Sequence, residues 1–330
     1  MSYLLLAISL HLVTAVAPAP AGVLPAKVVY VQGKELFVAS GSGDHAHQIT
    51  HDGAVKALPV WSKDGAKIAF LETPEASAEA LGHLLVVGQS GELLHDLQLQ
   101  SDTPAGGMRF IEALEWLDAN RVAISGSSNP SLTETAIVDL ATGRQEFGIY
   151  DDGPGADFSP DGRHVALTSG APHFTPAAER EPAVEIDYQR VYPPAGEHIE
   201  ILSRRSWSPD SRQVAFLTQD FATRLQWMVV AQLDGSIDQR AVELPAGSFC
   251  TPMWTAGEPI AVCVNRSHTT SVAPSGFDAA RNAAPALLQS FGERRQLIAA
   301  LAARGAREVD VWSAAGDLGS QARRVTIGGR

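Results

Sequence analysis

Ten histidines, 37 acidic residues and two cysteines hold most of the reactive side chains of this 330-residue chain. His45, His47 and His51 form a cluster in GDHAHQITHD, with Asp44 and Asp52 beside them. On a strand, positions i and i+2 share a face, and two imidazoles so placed can ligate a metal. The polar residues around them favour a plainer reading, a solvated loop that runs into a strand. His83, His95, His164, His173, His198 and His268 are dispersed. Asp151 and Asp152, in IYDDGPGADF, look like a fragment of a calcium loop, but the alternating oxygen ligands of D-x-[DN]-x-[DN]-G are missing. That segment reads as a turn between repeated units. Cys250 and Cys263 flank a tight turn in FCTPMW and PIAVCV. They either pair across adjacent strands or stay reduced and buried, and reduced burial is the simpler expectation. A one-residue change of register would separate the two cases. There is no metal-type Cys-x-x-Cys. No catalytic residue, metal site or cofactor is assigned from these residues.

A repeat supplies the elements that must position these groups. WSKDGAKIAFLE from Trp61, FSPDGRHVALTS from Phe158 and WSPDSRQVAFLT from Trp207 are three copies of one string. Weaker copies are WLDANRVAIS from Trp116, WTAGEPIAVCV from Trp254 and FGERRQLIAAL from Phe291. Asp64, Asp161 and Asp210 recur at one position, followed by Gly65, Gly162 and Ser211. A catalytic acid is needed once or twice, so an acid that recurs per unit reads as structural. Asp and Gly suit a tight reversal, since they supply side-chain-to-backbone bonding and a positive φ. The strand after the turn is almost wholly apolar, as in KIAFLE and QVAFLT, which predicts burial on both faces. Hairpins then follow at 83–99, 135–150 and 227–244. Four antiparallel strands recurring at about 40–50 residues predict an all-β propeller.

Six copies carry an aromatic, and residues 27–50 add three strands that lack a first partner. The expectation is thus six to seven four-stranded antiparallel blades, with seven favoured and the first incomplete. Residues 267–287 fit no strand pair and read as an irregular loop. In an insertion at 170–199, Tyr188, Arg190 and Tyr192 alternate on a predicted strand and so share a face. Aromatics and arginine favour interfaces, which makes these three candidate partner-binding residues; inward packing of the aromatic side is the alternative.

The WSPDG-x-x-[IV]-A-F pattern resembles the TolB-type (WD40-like, PD40) propeller repeat, also seen in the propeller domains of prolyl-oligopeptidase-like peptidases. The resemblance covers nearly all of the chain after its first residues. It implies that Trp61, Phe158 and Trp207, with Trp116, Trp254 and Phe291, pack between neighbouring blades. It implies too that the Ser-Pro-Asp-Gly turn shapes the hairpin between first and second strands. TolB itself carries an α/β domain before its propeller; here repeat-like strands begin by Val28, so a role in the Tol system is not implied. The peptidases add a hydrolase domain with a G-x-S-x-G nucleophile elbow, which this chain lacks. With Arg330 soon after the last repeat, no such domain is expected.

Composition and the amino terminus narrow the setting. A net charge of −12 and a pI near 5.3 argue against a nucleic-acid partner. A hydrophobic content of 45 % excludes low-complexity disorder. Leu4 to Ala17 form an apolar run followed by APAPAG, which reads as a signal peptide over 1–21 cleaved after Ala21, although no basic residue precedes the run. The propeller would then occupy 22–330. The expected protein is periplasmic or secreted, without a membrane span after cleavage. Its expected role is a non-catalytic scaffold in the cell envelope that binds a protein or peptide. Two alternatives are a stand-alone propeller module of an oligopeptidase-type peptidase and a propeller lyase or hydrolase acting on polysaccharide.

Overall fold

The computed structural model describes residues 26–73, 81–100, 108, 110–129, 132–152, 155–170, 182–193, 199–264, 269–274, 276–312 and 324–326. The signal segment lies outside them, as do His173, His198 and His268.

The opening unit has β1 (Lys27–Gln32), β2 (Glu35–Ser40) and β3 (His47–Gln48). The second has β4 (Val55–Trp61), β5 (Lys67–Thr73), β6 (His83–Gly88) and β7 (Leu93–Gln98). The third has β8 (Phe110–Trp116), β9 (Arg121–Asn129), β10 (Leu132–Asp139) and β11 (Gln145–Asp151). The fourth has β12 (Asp157–Phe158), β13 (Val165–Ser169), β14 (Ala183–Ile186) and β15 (Gln189–Tyr192). The fifth has β16 (Ile199–Ile201), β17 (Ser206–Trp207), β18 (Gln213–Asp220), β19 (Gln226–Gln232) and β20 (Ile237–Ala241). The sixth has β21 (Phe249–Thr255), β22 (Glu258–Val264) and β23 (Thr269–Val272), and α1 (Asp278–Ala303), β24 (Ala306–Trp312) and β25 (Arg324–Thr326) follow. The described strands form six antiparallel sheets, the blades of an all-β propeller.

Within a blade the first strand lies nearest the ring axis. The indole Nε1 of Trp116 donates to the Val60 carbonyl at 3.2 Å, that of Trp207 to Asp157 at 2.8 Å and that of Trp254 to Ser206 at 2.8 Å. Each acceptor stands just before the aromatic of the preceding blade, so the first strands of successive blades touch. The second strands are sandwiched between neighbours: Ile68 to Leu71, Val214 to Gln219 and Pro259 to Cys263 are all buried.

The last third departs from the expected pattern. The string from Phe291 is not a hairpin; it lies inside α1, which also takes in much of the segment read as an irregular loop. The run ERRQLIAALAAR is built of strong helix formers and lacks the Asp-Gly turn of the good copies. Among the described residues the blades therefore number six, the lower of the two expected counts. The strand missing from the first unit comes from the far end of the chain: β24 pairs with β1, with Trp312 opposite Lys27 and Val311 opposite Val28. Trp312 thus holds the place in blade 1 that Trp61, opposite Ile68, holds in blade 2.

Helix α1 bridges the two ends of the ring. Phe277, Ala280, Ala284 and Leu288 pack on blade 6 against Trp254, Ile260 and Cys263. Leu297, Ile298 and Leu301 pack on blade 1 against Val28, Tyr30, Ala39 and Val309. Cys250 lies directly opposite Cys263 in the register of β21 and β22, with Cα atoms 4.0 Å apart, and the two form a disulfide. The simpler expectation of two reduced thiols is corrected: at this register both side chains project on the same side of the sheet.

Candidate functional site

The ring has two faces built from different connections. One carries the turns between first and second strands and between third and fourth. The other carries the links between second and third strands and those from blade to blade.

The turn face is stapled by the repeat. Ser62, Ser159 and Ser208 each donate a hydroxyl at 2.6 Å, to Asp64, Asp161 and Asp210 respectively. The same hydroxyl oxygens accept the amides of Lys67, His164 and Gln213 at 2.8, 3.0 and 2.9 Å. The aspartates in turn accept the amides of Ala66, Arg163 and Arg212 at 3.0, 3.1 and 3.2 Å. These serine bonds hold all three carboxyls below their ordinary values. The next residue is left-handed in each copy, with φ of 67° at Gly65, 68° at Gly162 and 62° at Ser211. Close packing adds to that demand. A Cβ at Gly65 would fall 2.4 Å from the Trp312 ring, and one at Gly162 would fall 2.5 Å from the Leu117 carbonyl. The side chains of Trp61, Phe158 and Trp207 are buried beneath these turns.

The opposite face joins strand ends that lie farther apart in the sequence. The longer links run between Thr73 and His83, Gln98 and Phe110, Ser169 and Ala183, Tyr192 and Ile199, and Ala241 and Phe249. Charged groups lie buried under it. The Lys56 ammonium has no exposed surface and pairs with Glu72 at 3.2 Å, Glu35 at 3.9 Å and Asp52. Blade 5 breaks its first strand into β16 and β17, both paired to β18, and the break admits two arginines. Arg205, fully buried, reaches Asp151 at 2.9 Å, Asp157 at 3.0 Å and the Thr168 hydroxyl at 2.6 Å. Arg204 reaches Asp157 at 2.8 Å, and that carboxylate raises its pKa above the ordinary guanidinium value. In blade 1, Asp310 accepts the Trp61 amide at 2.8 Å and Glu308 accepts that of Leu58. The rim above these pairs exposes Phe110 to 67 % and Phe249 to 89 %. These charged side chains are engaged with one another or with backbone amides of the next blade.

The candidates from the sequence scatter. His45, His47 and His51 are exposed between β2 and β4, and His47 Nδ1 lies 3.4 Å from the His45 carbonyl. His83 pairs with Asp96 at 2.6 Å and His164 with Asp187 at 2.7 Å, in different blades. Among the described residues no group of three or more His, Cys, Asp or Glu is placed to hold a metal ion. Tyr188, Arg190 and Tyr192 do not share one face. Tyr188 sits in the turn between β14 and β15, and a register shift then places Glu185 opposite Arg190 but Val184 opposite Tyr192. The extra residue, Val191, breaks the alternation. Tyr188 and Arg190 are exposed, whereas Tyr192 is buried, edge-on to Phe216 with its hydroxyl 3.3 Å from Gln239. Residues 171–181 and 194–198 of that insertion lie outside the described residues. The Arg205 cluster escaped the sequence reading. Its signal was the Arg204-Arg205 doublet just before WSPD.

No protein-family model matches the chain, and no curated protein does. Solved structures are similar to it. TolB from Acinetobacter baumannii is 14 % identical, with a TM-score of 0.36 over 76 % of this chain and 64 % of its own. An oligogalacturonate lyase in complex with manganese is 14 % identical, with a TM-score of 0.48 over 71 % of this chain and 65 % of its own. A prolyl endopeptidase is 15 % identical, with a TM-score of 0.47 over 76 % of this chain and 42 % of its own. The matches thus span less than two thirds of each of these chains. TolB and the prolyl endopeptidase bear the names given in the repeat resemblance, the lyase does not, and the chemistry named in each structure belongs to that structure.

Proposed function

We propose that this chain is an exported, non-catalytic propeller that uses its irregular face to bind a protein or peptide in the cell envelope. The observation that carries the proposal is the contrast between the faces. One is locked by a repeated Ser-Asp staple, while the other gathers the long, non-repeating links and the exposed Phe110 and Phe249. Links of that kind, held on a rigid ring, are where binding surfaces are built, and aromatic side chains are common anchors in them. The commitment of Asp52, Asp151 and Asp157 to buried cations supports a binding role over a catalytic one. The Cys250–Cys263 disulfide suits an oxidising compartment. A mature protein beginning at Gly22 is the expected product of export, readable by amino-terminal sequencing. A photo-crosslinking amino acid placed at Phe249 or Phe110 in the producing cells should capture a polypeptide. The same probe at Tyr188, on the turn face, should not. Capture from Tyr188 alone would move the partner to the other face and end this reading.

A further inference from the structure

Blade 6 has a blade on one side and α1 on the other, and register says which of its residues face the helix. In the pairing of β21 with β22, Thr255 stands opposite Glu258, Met253 opposite Ile260, Thr251 opposite Val262 and Phe249 opposite Val264. Val264 stands in turn opposite Thr269 of β23. Opposed residues share a side of an antiparallel sheet, as do alternate residues along a strand, so all of these project the same way. Helix α1 bonds to two of them. The Ala280 amide donates to Glu258 at 3.0 Å, and Arg295 Nη1 donates to the Thr269 hydroxyl at 3.1 Å. The helix therefore crosses this side of the sheet from the turn end of β22 to the start of β23. One corner is left bare. Met253, Ile260 and Val262 are buried, whereas Val264 is 40 % exposed and Phe249 89 %.

Two features decide what the corner suits. The first is apolar continuity. Phe249 and Val264 are cross-strand neighbours, whereas Phe110, at the matching strand start of blade 3, stands opposite Ser127. The second is charge. From Arg281 to Arg307 the chain carries five arginines and one acid, Glu293, against a net charge of −12 for the whole. Arg295 sits at the end of the Phe249–Val264–Thr269 row, and Arg307 is exposed at the start of β24, the strand that completes blade 1. The acid beside it, Glu308, turns to the Leu58 amide of blade 2. An apolar pair flanked by guanidinium groups matches a segment that offers one large apolar side chain among carboxylates, because bonds between guanidinium and carboxylate are charge-assisted.

We propose that this corner of blade 6 receives an acidic peptide segment of the partner, with a large apolar side chain on Phe249 and Val264 and carboxylates on Arg295 and Arg307. This rests on the binding role proposed above and specifies where the partner docks and what chemistry it brings.

The test selects random dodecapeptides displayed on phage against the full chain, then measures the enriched peptides by fluorescence anisotropy. The enriched peptides should be acidic around an aromatic or large aliphatic residue. Phe249→Ser should weaken them roughly tenfold or more, as loss of a hot-spot aromatic does. Arg295→Glu together with Arg307→Glu should do the same and flatten the fall of affinity with rising salt. Phe249→Leu, which keeps an apolar side chain, should retain most of the affinity, and Phe110→Ser should retain all of it. The substituted side chains are exposed, so each variant should melt as the unaltered chain does. Enrichment of basic or neutral peptides, no enrichment at all, or acidic peptides indifferent to Phe249→Ser and to the arginine reversals overturns the proposal. A cellular crosslink at Phe110 alongside any of these results keeps the binding role and removes the blade 6 corner. Acidic peptides that respond to the variants, in a chain that captures nothing in cells, keep the corner and end the reading of a partner in the cell envelope.

Discussion

The junction between blades 4 and 5 and the junction between blades 6 and 1 hold one ring by different means. At the first, repeat residues meet in register: the Trp207 indole bonds to Asp157, and Ser211 accepts the Asp161 amide at 3.0 Å. A buried ion cluster is added, with Arg205 between Asp151 and Asp157. At the second, no repeat aromatic bridges the blades among the described residues. A 26-residue helix fills the space, a disulfide staples the last blade and a strand from the far end completes the first. The join of blade 1 to blade 2 bears a trace of that closure. The Trp61 indole N–H is buried without a partner among the described residues, where its counterparts bond to the preceding blade. Lys27 works there instead, reaching Gly65 O at 3.2 Å and Gln89 at 2.8 Å, with the Trp61 and Trp312 rings nearby. A repeated unit solves its junction once and copies the solution; the seam must be solved separately.

The contrast can be broken first at Arg205. Its removal leaves Asp151 and Asp157 buried without their main cation, and Arg205→Ala should cost about 4 kcal/mol in urea unfolding near neutral pH. At the seam, Leu301→Ala empties a site between α1 and blade 1, and about 3 kcal/mol is expected from the same measurement. Replacing both Cys250 and Cys263 by alanine should cost about 2 kcal/mol, given a separation of only 13 residues. Native-state hydrogen exchange should localise the losses: Leu301→Ala should loosen blades 6 and 1 before blade 4, and Arg205→Ala should do the opposite.

A smaller effect concerns acid. The carboxyls of Asp64, Asp161 and Asp210 are held below their unfolded values, chiefly by the serine bonds. Their contribution is therefore present above the unfolded carboxylate range, near pH 4, and is lost as the pH falls through the lower folded values. Asp161→Asn should flatten the loss of stability below about pH 4, as followed by thermal melts at stepped pH. The smallest change is expected from Ser211→Gly. Relief of a left-handed serine is worth about 1 kcal/mol, and loss of the bond from the Asp161 amide costs about as much. Melting temperatures within a degree or two of each other would fit; a clear gain would show that the bond is idle.

Blades 2 to 5 were legible because their signals are local. Trp61, Phe158 and Trp207 each stand a fixed distance before an apolar strand, and Asp-Gly or Asp-Ser dictates the turn between them. The same locality explains the misreadings. Phe291 had an aromatic at about the right spacing, but helix propensity and the faces of two blades won that segment for α1. Tyr188, Arg190 and Tyr192 alternate in the sequence, but one bulged residue separated Tyr192 from Arg190. The irregular face was visible only as segments that did not repeat, without a hint of the ion pairs beneath them.

By itself the sequence determined the all-β class, the four-stranded unit and the Asp-Gly or Asp-Ser turn between first and second strands. Each depends on residues within a few positions of one another, where turn chemistry and period-two burial act directly. Tertiary structure alone decided the six blades, the closure of blade 1 by β24, the pairing of Cys250 with Cys263, the burial of Arg205 and the place of β25. Those depend on contacts between residues far apart in the chain, as between Lys27 and Trp312, and on sheet register, which one residue can invert.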